Sequence, residues 1–143
     1  MKYRVFLDTN ILLSGIFFEG NESKILDLVE INFITSEDVV EELYKVVKKK
    51  LKYLKERSLE IALSETERAL SDVIVIQRSK YLKKLKEAEY LISHKKDVPI
   101  LAAVLAIKPD YFLTGDTHFF TAKVRDVISV MTAKEFLAFI KRK

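Results

Sequence analysis

The sequence predicts an α/β domain of three layers, in which a central parallel sheet of about five strands lies between two layers of helices. Short apolar runs alternate along the chain with longer stretches in which apolar residues step by three and four. This alternation indicates parallel strands, because a parallel pair needs a crossover connection that is usually helical. Only three Gly and two Pro occur in 143 residues, so the connections are expected to be short.

The first part of the chain is predicted to form a strand, a helix and a second strand. Residues 3–7 are mainly aromatic and aliphatic, and this run ends at the polar residues 8–10. A short second strand is predicted over residues 32–35. Between the strands, residues 21–31 are expected to form a helix whose apolar face contains Ile25, Leu28 and Val29.

The middle of the chain is predicted to form two helices and a third strand. Either Thr35 or Ser36 can cap the first helix through its hydroxyl group. The apolar stripe of that helix consists of Val40, Leu43, Val47, Leu51 and Leu54. Residues 58–70 repeat the helical pattern, and the apolar residues 72–76 predict a buried strand.

The last third of the chain begins with a predicted helix at residues 81–92, whose apolar positions step by three and four. Asp97 then occupies an N-cap position, with Pro99 in the first turn of an apolar helix that runs to Ile107. Strands are predicted over 111–114 and 127–131. A final amphipathic helix contains Phe136, Leu137 and Ile140. No repeat or linker interrupts this order, so residues 1–143 are expected to form a single domain.

The composition excludes several classes of site. The chain has no Cys and only two His, so disulfides, thiolate metal sites and cysteine nucleophiles are excluded. Its longest apolar run, residues 98–107, is too short to span a bilayer, and the N-terminal residues do not fit a signal peptide. A cytoplasmic protein is therefore expected. The formal charge of +4 is compatible with a polyanionic partner.

Four acidic residues are predicted to meet at one edge of the sheet. Asp8 and Asp116 follow the first and fourth strands, Glu42 lies on the helix after the second strand, and Asp97 opens the helix before the fourth strand. Their carboxylates converge at the carboxyl edge if the first and fourth strands are neighbours. Clustered anions repel one another unless some are protonated or cations bind. Oxygen ligands suit Mg²⁺ or Mn²⁺, and one or two such ions can promote phosphodiester hydrolysis.

Four motifs follow one another in the chain and carry a family resemblance. They are Val5-Phe6-Leu7-Asp8-Thr9-Asn10-Ile11-Leu12, then Thr35-Ser36 with Val39-Val40-Glu41-Glu42-Leu43, then Asp97 at the start of an Ala-rich helix, and then Leu113-Thr114-Gly115-Asp116. In order and spacing they resemble the PIN-domain nucleases, such as the VapC-like toxin ribonucleases. The resemblance covers nearly the whole chain, although residues 44–96 carry no family signature.

The resemblance implies a function and a set of site residues. In the family, the acids that match Asp8, Glu42, Asp97 and Asp116 are catalytic and hold the metal ions. The polar residues that match Asn10 and Thr114 support these acids through hydrogen bonds. The implied protein is a Mg²⁺- or Mn²⁺-dependent endoribonuclease that hydrolyses RNA and leaves 5′-phosphate and 3′-hydroxyl ends. Its small size resembles the toxin of a toxin–antitoxin pair, so the expected partners are RNA, an antitoxin protein and a second copy in a homodimer.

Several lysines are candidates for binding the phosphates of a substrate. They are Lys48, Lys49, Lys52, Lys95 and Lys96. The alternative is that they form solvated helix faces, because lysines alternate with the apolar stripe as on any exposed surface. Many PIN relatives also have a further acid just before the position of Asp97, where this chain has lysines.

Individual site residues also have structural explanations. Asp97 is explained by helix capping alone. Glu41 and Glu42 are adjacent on a helix, so one should face inward, and the position before Leu43 together with the family pattern selects Glu42. His118 is close enough to Asp116 to contact substrate or metal, but it is interpreted as a surface histidine.

Two other classes of function stay open. A haloacid-dehalogenase-like phosphatase would need an Asp in place of Asn10. A receiver domain would need a phosphate-accepting Asp after the third strand, where Gln77 and Arg78 stand, although Lys134 lies near the position of a receiver lysine. The remaining class is a PIN-like module without catalytic activity that binds a partner or dimerises.

Overall fold

The computed structural model describes residues 2–50 and 58–142, and these residues form a sheet of five strands. The strands are β1 (Tyr3–Leu7), β2 (Ile31–Ser36), β3 (Ile74–Ile76), β4 (Tyr111–Leu113) and β5 (Val130–Met131). Their order is β3-β2-β1-β4-β5, and every pairing is parallel. β1 therefore lies in the centre with β4 beside it, which is the arrangement required for the acids of the first and fourth strands to converge.

Helices connect and flank the strands, so the predicted three-layer α/β/α architecture is confirmed. In the described residues the α-helices are α1 (Thr9–Phe17), α2 (Asn21–Leu26), α3 (Glu37–Lys49), α4 (Leu59–Leu70), α5 (Leu85–Leu91), α6 (Val98–Ile107), α7 (Ala122–Arg125) and α8 (Ala133–Lys141). Short 3-10 turns occupy Arg78–Lys80, Leu82–Lys84, Lys95–Asp97 and Thr117–Phe119. None of the described helices has both the length and the apolar character needed to cross a membrane.

Side-chain hydrogen bonds fix the helix that starts at the end of β2. Ser36 is the N-cap of α3, because its Oγ accepts a hydrogen bond of 3.3 Å from the Val39 N–H. The Thr35 hydroxyl instead donates to the Leu7 carbonyl at 2.8 Å and so links β2 to β1. Of the two capping candidates in the sequence, Ser36 is therefore the cap.

The core extends through the centre of the sheet. The rings of Phe6 and Phe112 on neighbouring strands lie edge to face, with centroids 5.5 Å apart, and Phe119 packs on Phe112 at 5.0 Å. α6 is buried along most of its length, as its uniformly apolar sequence predicts. This packing holds the carboxyl ends of β1 and β4 side by side beneath the candidate site.

The first helix of the structure was missed, and the second is shorter than predicted. α1 begins directly after β1, and its buried residues are distributed around the helix instead of along one stripe, so no amphipathic period marks it. The helix predicted over 21–31 ends at Leu26, and Val29 is 84% exposed in the connection to β2. β2 begins at Ile31, so a helix that continued to residue 31 would overlap this strand.

The predicted face of α3 is displaced at its start. The buried positions are Val39, Leu43 and Val47, whereas Val40 is only half-buried. Ser36 sets this rotation, because the helix begins immediately after it. The positions Leu51 and Leu54 lie outside the described residues.

The strand predicted as buried over 72–76 is an exposed edge strand of three residues. β3 lies at the end of the sheet, with Ile74 54% and Val75 39% exposed. An apolar run alone does not distinguish an edge strand from a central one, because the difference depends on which strands pair. β5 is likewise shorter than predicted and covers only Val130–Met131. The helix predicted from Tyr81 begins with 3-10 turns and becomes α-helical at Leu85.

Candidate active site

Asp8 lies at the end of β1 and is almost fully buried, with 3% of its surface exposed. Its Oδ1 accepts a hydrogen bond of 2.7 Å from the Thr9 N–H, and its Oδ2 accepts one of 2.6 Å from the Thr114 hydroxyl. Burial nevertheless raises the pKa of Asp8 to about 6, and the negative charges of Glu42 and Asp116 raise it further against the lowering effect of the two hydrogen bonds. The ionised form of Asp8 is therefore costly unless a cation lies beside it.

The turn after β4 positions Asp116 next to Asp8. The Thr114 hydroxyl is fully buried, and besides donating to Asp8 it accepts a hydrogen bond of 3.0 Å from the Asp116 N–H. The Gly115 N–H donates to Asn10 Oδ1 at 2.9 Å. Thr114 and Asn10 thus tie the turn after β4 to the start of α1, and these are the hydrogen bonds that a supporting role would require.

Glu41 and Glu42 on α3 face different surroundings. The Glu41 side chain is 58% exposed and forms an ion pair of 2.9 Å with Arg78. Glu42 is half-buried and acts electrostatically on Asp8. Glu42 is therefore the member of the pair that faces the other acids.

His118 connects the two remaining acids of the predicted set. Its Nδ1 lies 2.8 Å from Asp97 Oδ2 and 3.2 Å from Asp116 Oδ1, and its backbone N–H donates to Asp116 Oδ1 at 2.9 Å. The His118 side chain is 38% exposed, as a surface histidine would be, but it also contacts both carboxylates. The sequence signal for these contacts was its place two residues after Asp116, on the turn that follows β4.

Asp97 stands at the N-cap position of α6 but makes no capping hydrogen bond with its side chain. Helix capping therefore does not account for this residue, whose carboxylate contacts His118 instead. The ring of His118 stacks on that of His94, with centroids 3.4 Å apart and planes 10° from parallel. Through His118, the structure brings Asp97 into one cluster with Asp116, Asp8 and Glu42.

The charge of this cluster is not balanced by the basic residues of the described chain. In residues 2–50 and 58–142, no Lys or Arg forms an ion pair with Asp8, Glu42, Asp97 or Asp116. The buried Thr9 Oγ also has no hydrogen-bond partner within that part of the protein. Carboxylate and hydroxyl oxygens are ligands that Mg²⁺ and Mn²⁺ prefer, so the donor set fits such an ion.

Among the described residues, the group of three potential metal ligands with mutually close ligand atoms contains Asp97 but none of the other three acids. One ligand atom each from His94, Asp97 and His118 lie within 4.8 Å of one another. Imidazole nitrogens suit transition metals more than Mg²⁺. Asp97 belongs both to this group and to the four acids, and thus links the oxygen ligands to the histidines.

A groove that is lined by both acids and lysines adjoins the Glu42 side of the cluster. It has a volume of 480 Å³, and its charged lining residues are Asp38, Glu41, Glu42, Lys45, Lys49 and Lys96. Of the lysines predicted to bind substrate, Lys49 and Lys96 line this groove, and Lys48 and Lys95 are exposed on α3 and on the turn before α6. Lys52 lies outside the described residues.

Comparison with known protein families identifies the domain. A model of the PIN domain matches residues 6–134, which is most of the chain. The chain belongs to the PIN-domain family. A search of curated proteins found no significant match.

Solved structures of toxin–antitoxin proteins share the fold of this PIN domain. VapBC2 from Rickettsia felis, bound to a DNA fragment from its promoter, is 20% identical, with a TM-score of 0.65 over 90% of this chain and 98% of that chain. A toxin–antitoxin complex from Klebsiella pneumoniae is 19% identical, with a TM-score of 0.67 over 90% and 97%. VapC20 from Mycobacterium tuberculosis, a sarcin-ricin loop cleaving toxin, is 16% identical, with a TM-score of 0.58 over 81% and 92%. At these identities the likeness establishes the fold alone.

Proposed function

We propose that this PIN-domain protein is a Mg²⁺- or Mn²⁺-dependent endoribonuclease. The observation that carries the proposal is the cluster of Asp8, Glu42, Asp97 and Asp116, which has no Lys or Arg partner in the described residues. The fold keeps one member of the cluster, Asp8, buried at a raised pKa. Such an arrangement costs stability, and a bound divalent cation offsets that cost by stabilising the ionised carboxylates.

The residues of the cluster have distinct roles in this proposal. Asp8, Glu42 and Asp116 hold one or two ions, and Asp97 completes the ligand set. When bound, the metal polarises a phosphate oxygen and makes a water molecule more acidic. Thr114 and Asn10 keep the carboxylates and the turn after β4 in place through hydrogen bonds. His118 orients the carboxylates of Asp97 and Asp116 through its Nδ1.

The proposed substrate is RNA, whose phosphates are suited to the lysines in the groove next to Glu42. Three lysines of the groove, Lys45, Lys49 and Lys96, can contact the backbone on the way to the acids. A role as the toxin of a toxin–antitoxin pair is supported by the folds of the VapBC structures and of the sarcin-ricin loop cleaving toxin. In that role the protein binds an antitoxin and forms a homodimer.

The deciding experiment is cleavage of an end-labelled, partly single-stranded RNA in the presence of Mn²⁺, Mg²⁺ or EDTA. We expect cleavage that requires metal and that is abolished by Asp8→Asn and by Asp116→Asn. Glu37→Gln is the matched control, because Glu37 is an acid on α3 that pairs with Arg78 and does not line the groove. If the folded wild type cuts no RNA with either metal, the protein is instead a binding module without catalytic activity.

The toxin role has its own test. Expression of the wild type in a bacterial host should arrest growth, and Asp116→Asn should relieve the arrest. The antitoxin is expected to be encoded beside this protein and to restore growth when it is co-expressed. The homodimer is tested by the mass of the purified protein in light scattering. Growth that is equal for the wild type and for Asp116→Asn would contradict the toxin role while leaving the nuclease proposal standing.

A further inference from the structure

We infer that a pocket on the His118 side of the acidic cluster binds the base of an unpaired RNA nucleotide next to the cleaved phosphodiester. This inference rests on the proposed ribonuclease function and adds a substrate subsite to it. The pocket lies between the end of α5 and the turn that contains His118, and it has a volume of 400 Å³. This volume is within the range of about 300–1,000 Å³ that is typical of small-molecule sites. Its lining includes Tyr90, His94, Thr117, His118, Thr121 and Lys123.

Tyr90 provides an aromatic face that the fold does not use. The residue is 74% exposed on α5, so its ring contributes little to the core. The Lys123 ammonium lies 4.8 Å from the centroid of the Tyr90 ring. An exposed ring with a cation over one face is suited to single-stranded RNA, because a base can stack on the opposite face while the cation binds the adjoining phosphate.

His118 places this pocket directly beside the candidate catalytic residues. Its Nδ1 contacts Asp97 and Asp116, while its ring also lines the pocket. The stack with His94 keeps the imidazole in this orientation. A base held in the pocket is thus separated from the acids by one imidazole ring. The nucleotide concerned must therefore adjoin the phosphodiester that occupies the acidic cluster.

The groove and the pocket accept different parts of the same strand. The groove next to Glu42 carries Lys45, Lys49 and Lys96, whose charges suit phosphates. The pocket combines a single lysine with aromatic rings and with hydroxyl groups at Thr117 and Thr121. Rings and hydroxyls recognise the face and the edge of a base. The pocket should therefore bind only an unpaired base. A paired base would first have to leave its base pair and its stack, which costs free energy.

The experiment measures cleavage of a short single-stranded RNA by Tyr90→Ala, Tyr90→Phe and the wild type. Loss of one stacked base is expected to raise KM by between about 5-fold and 150-fold with little change in kcat. Tyr90→Phe keeps the ring and should restore most of the lost affinity. Phe18→Ala, which removes another exposed aromatic residue away from the site, should leave both constants unchanged. Equal KM values for Tyr90→Ala and the wild type would overturn the inference.

A second measurement identifies the nucleotide and separates this inference from the nuclease proposal. Single abasic nucleotides are placed along the RNA, and binding is measured by fluorescence anisotropy in EDTA, so that cleavage is not required. The wild type should bind less tightly when the abasic nucleotide is at one position beside the cleaved bond. Tyr90→Ala should bind that RNA and the intact RNA equally well. If Tyr90→Ala binds as tightly as the wild type, the pocket does not bind a base, whether or not the protein cleaves RNA. Tighter binding by the wild type supports the pocket even if no cleavage is found.

Discussion

Two sets of acids meet at α3, and their charges are balanced in different ways. Glu37, Asp38 and Glu41 form ion pairs with Arg78 at 3.8, 3.0 and 2.9 Å. Glu42 is the next residue after Glu41, yet it faces Asp8 and has no Lys or Arg partner in the described chain. The first set therefore has its counter-charge built into the fold, whereas the second set is the one that we propose to bind a divalent cation.

The first set also fastens the connection after β3 to α3. The Arg78 N–H donates to Glu37 Oε1 at 2.8 Å, and the fully buried Tyr81 hydroxyl donates to Asp38. Burial, the hydrogen bond to Asp38 and its negative charge raise the pKa of Tyr81 to about 12. Tyr81 therefore stays protonated and remains a hydrogen-bond donor at physiological pH. In the part of the protein that the structure describes, no side chain makes with Glu42 a bond like those that Arg78 and Tyr81 make with the first set of acids.

The sharpest test of this comparison is to neutralise the two adjacent glutamates separately. Glu42→Gln should lower kcat/KM for RNA cleavage by more than about 100-fold, because even indirect partners of a metal are worth about 10- to 100-fold. Glu41→Gln should change kcat by less than about twofold, because it removes only an exposed ion pair with Arg78 on the lining of the groove. Equal losses in the two variants would show that the two sets of acids are not functionally distinct.

Thr114 tests whether the acidic site depends on its hydrogen bonds. Thr114→Val removes the donor to Asp8 and the acceptor for the Asp116 N–H with little change in shape. We expect activity to fall by about 10- to 100-fold and the free energy of unfolding to fall by about 1–3 kcal/mol. Thr114→Ser keeps the hydroxyl and should retain most of the activity. A Val variant that matches Ser in urea unfolding and in cleavage would contradict the supporting role.

Asp8 should make the metal-free protein less stable as the pH rises. Its pKa in the folded state is about 6, which is above the usual range, so its favourable contribution is complete only at low pH and is lost as the pH rises through 6. Without metal, Asp8→Asn should therefore gain up to about 2–3 kcal/mol relative to the wild type between pH 4 and pH 8. Urea unfolding in EDTA measures this difference. Two curves that stay parallel with pH would refute the prediction.

Added metal provides the matching control for that experiment. Mg²⁺ should stabilise the wild type at pH 8, because an ion that binds only the folded state raises the free energy of unfolding. It should stabilise Asp8→Asn much less, so the difference between the two proteins should shrink. A gain that is equal in both proteins would show that the ion binds elsewhere.

Arg78 is expected to give the smallest effect. Arg78→Ala removes the counter-charge of the structural acids and should lower Tm modestly, because these ion pairs are partly exposed to solvent. The decrease should be smaller at high salt, where repulsion among the remaining acids is screened. RNA cleavage should be unaffected. Lys86→Ala on the exposed face of α5 is the control, and a comparable fall in its Tm would contradict the special role of Arg78.

The positions of residues at strand ends could be predicted from the sequence. The exposure of a residue could not, because it depends on which strands pair. Asp8 and Asp116 could be placed together because every strand of a parallel sheet ends at the same edge. The exposure of Ile74 could not be predicted, because an edge strand and a central strand have the same apolar pattern. The contact of His118 with Asp97 could not be predicted, because it joins two turns that are 21 residues apart.

The sequence by itself determined the alternating α/β order and the four acids, because helical periods, strand composition and caps are local properties of the chain. Only the tertiary structure decided that Asp8 is buried and that His118 joins Asp97 to Asp116. It also decided that Glu41 pairs with Arg78, whereas Glu42 has no Lys or Arg ion pair among the described residues. The hydrogen bond from Thr114 to Asp8 spans 106 residues. Such contacts arise from the packing of distant elements, and the raised pKa of Asp8 follows from that packing and not from any local pattern.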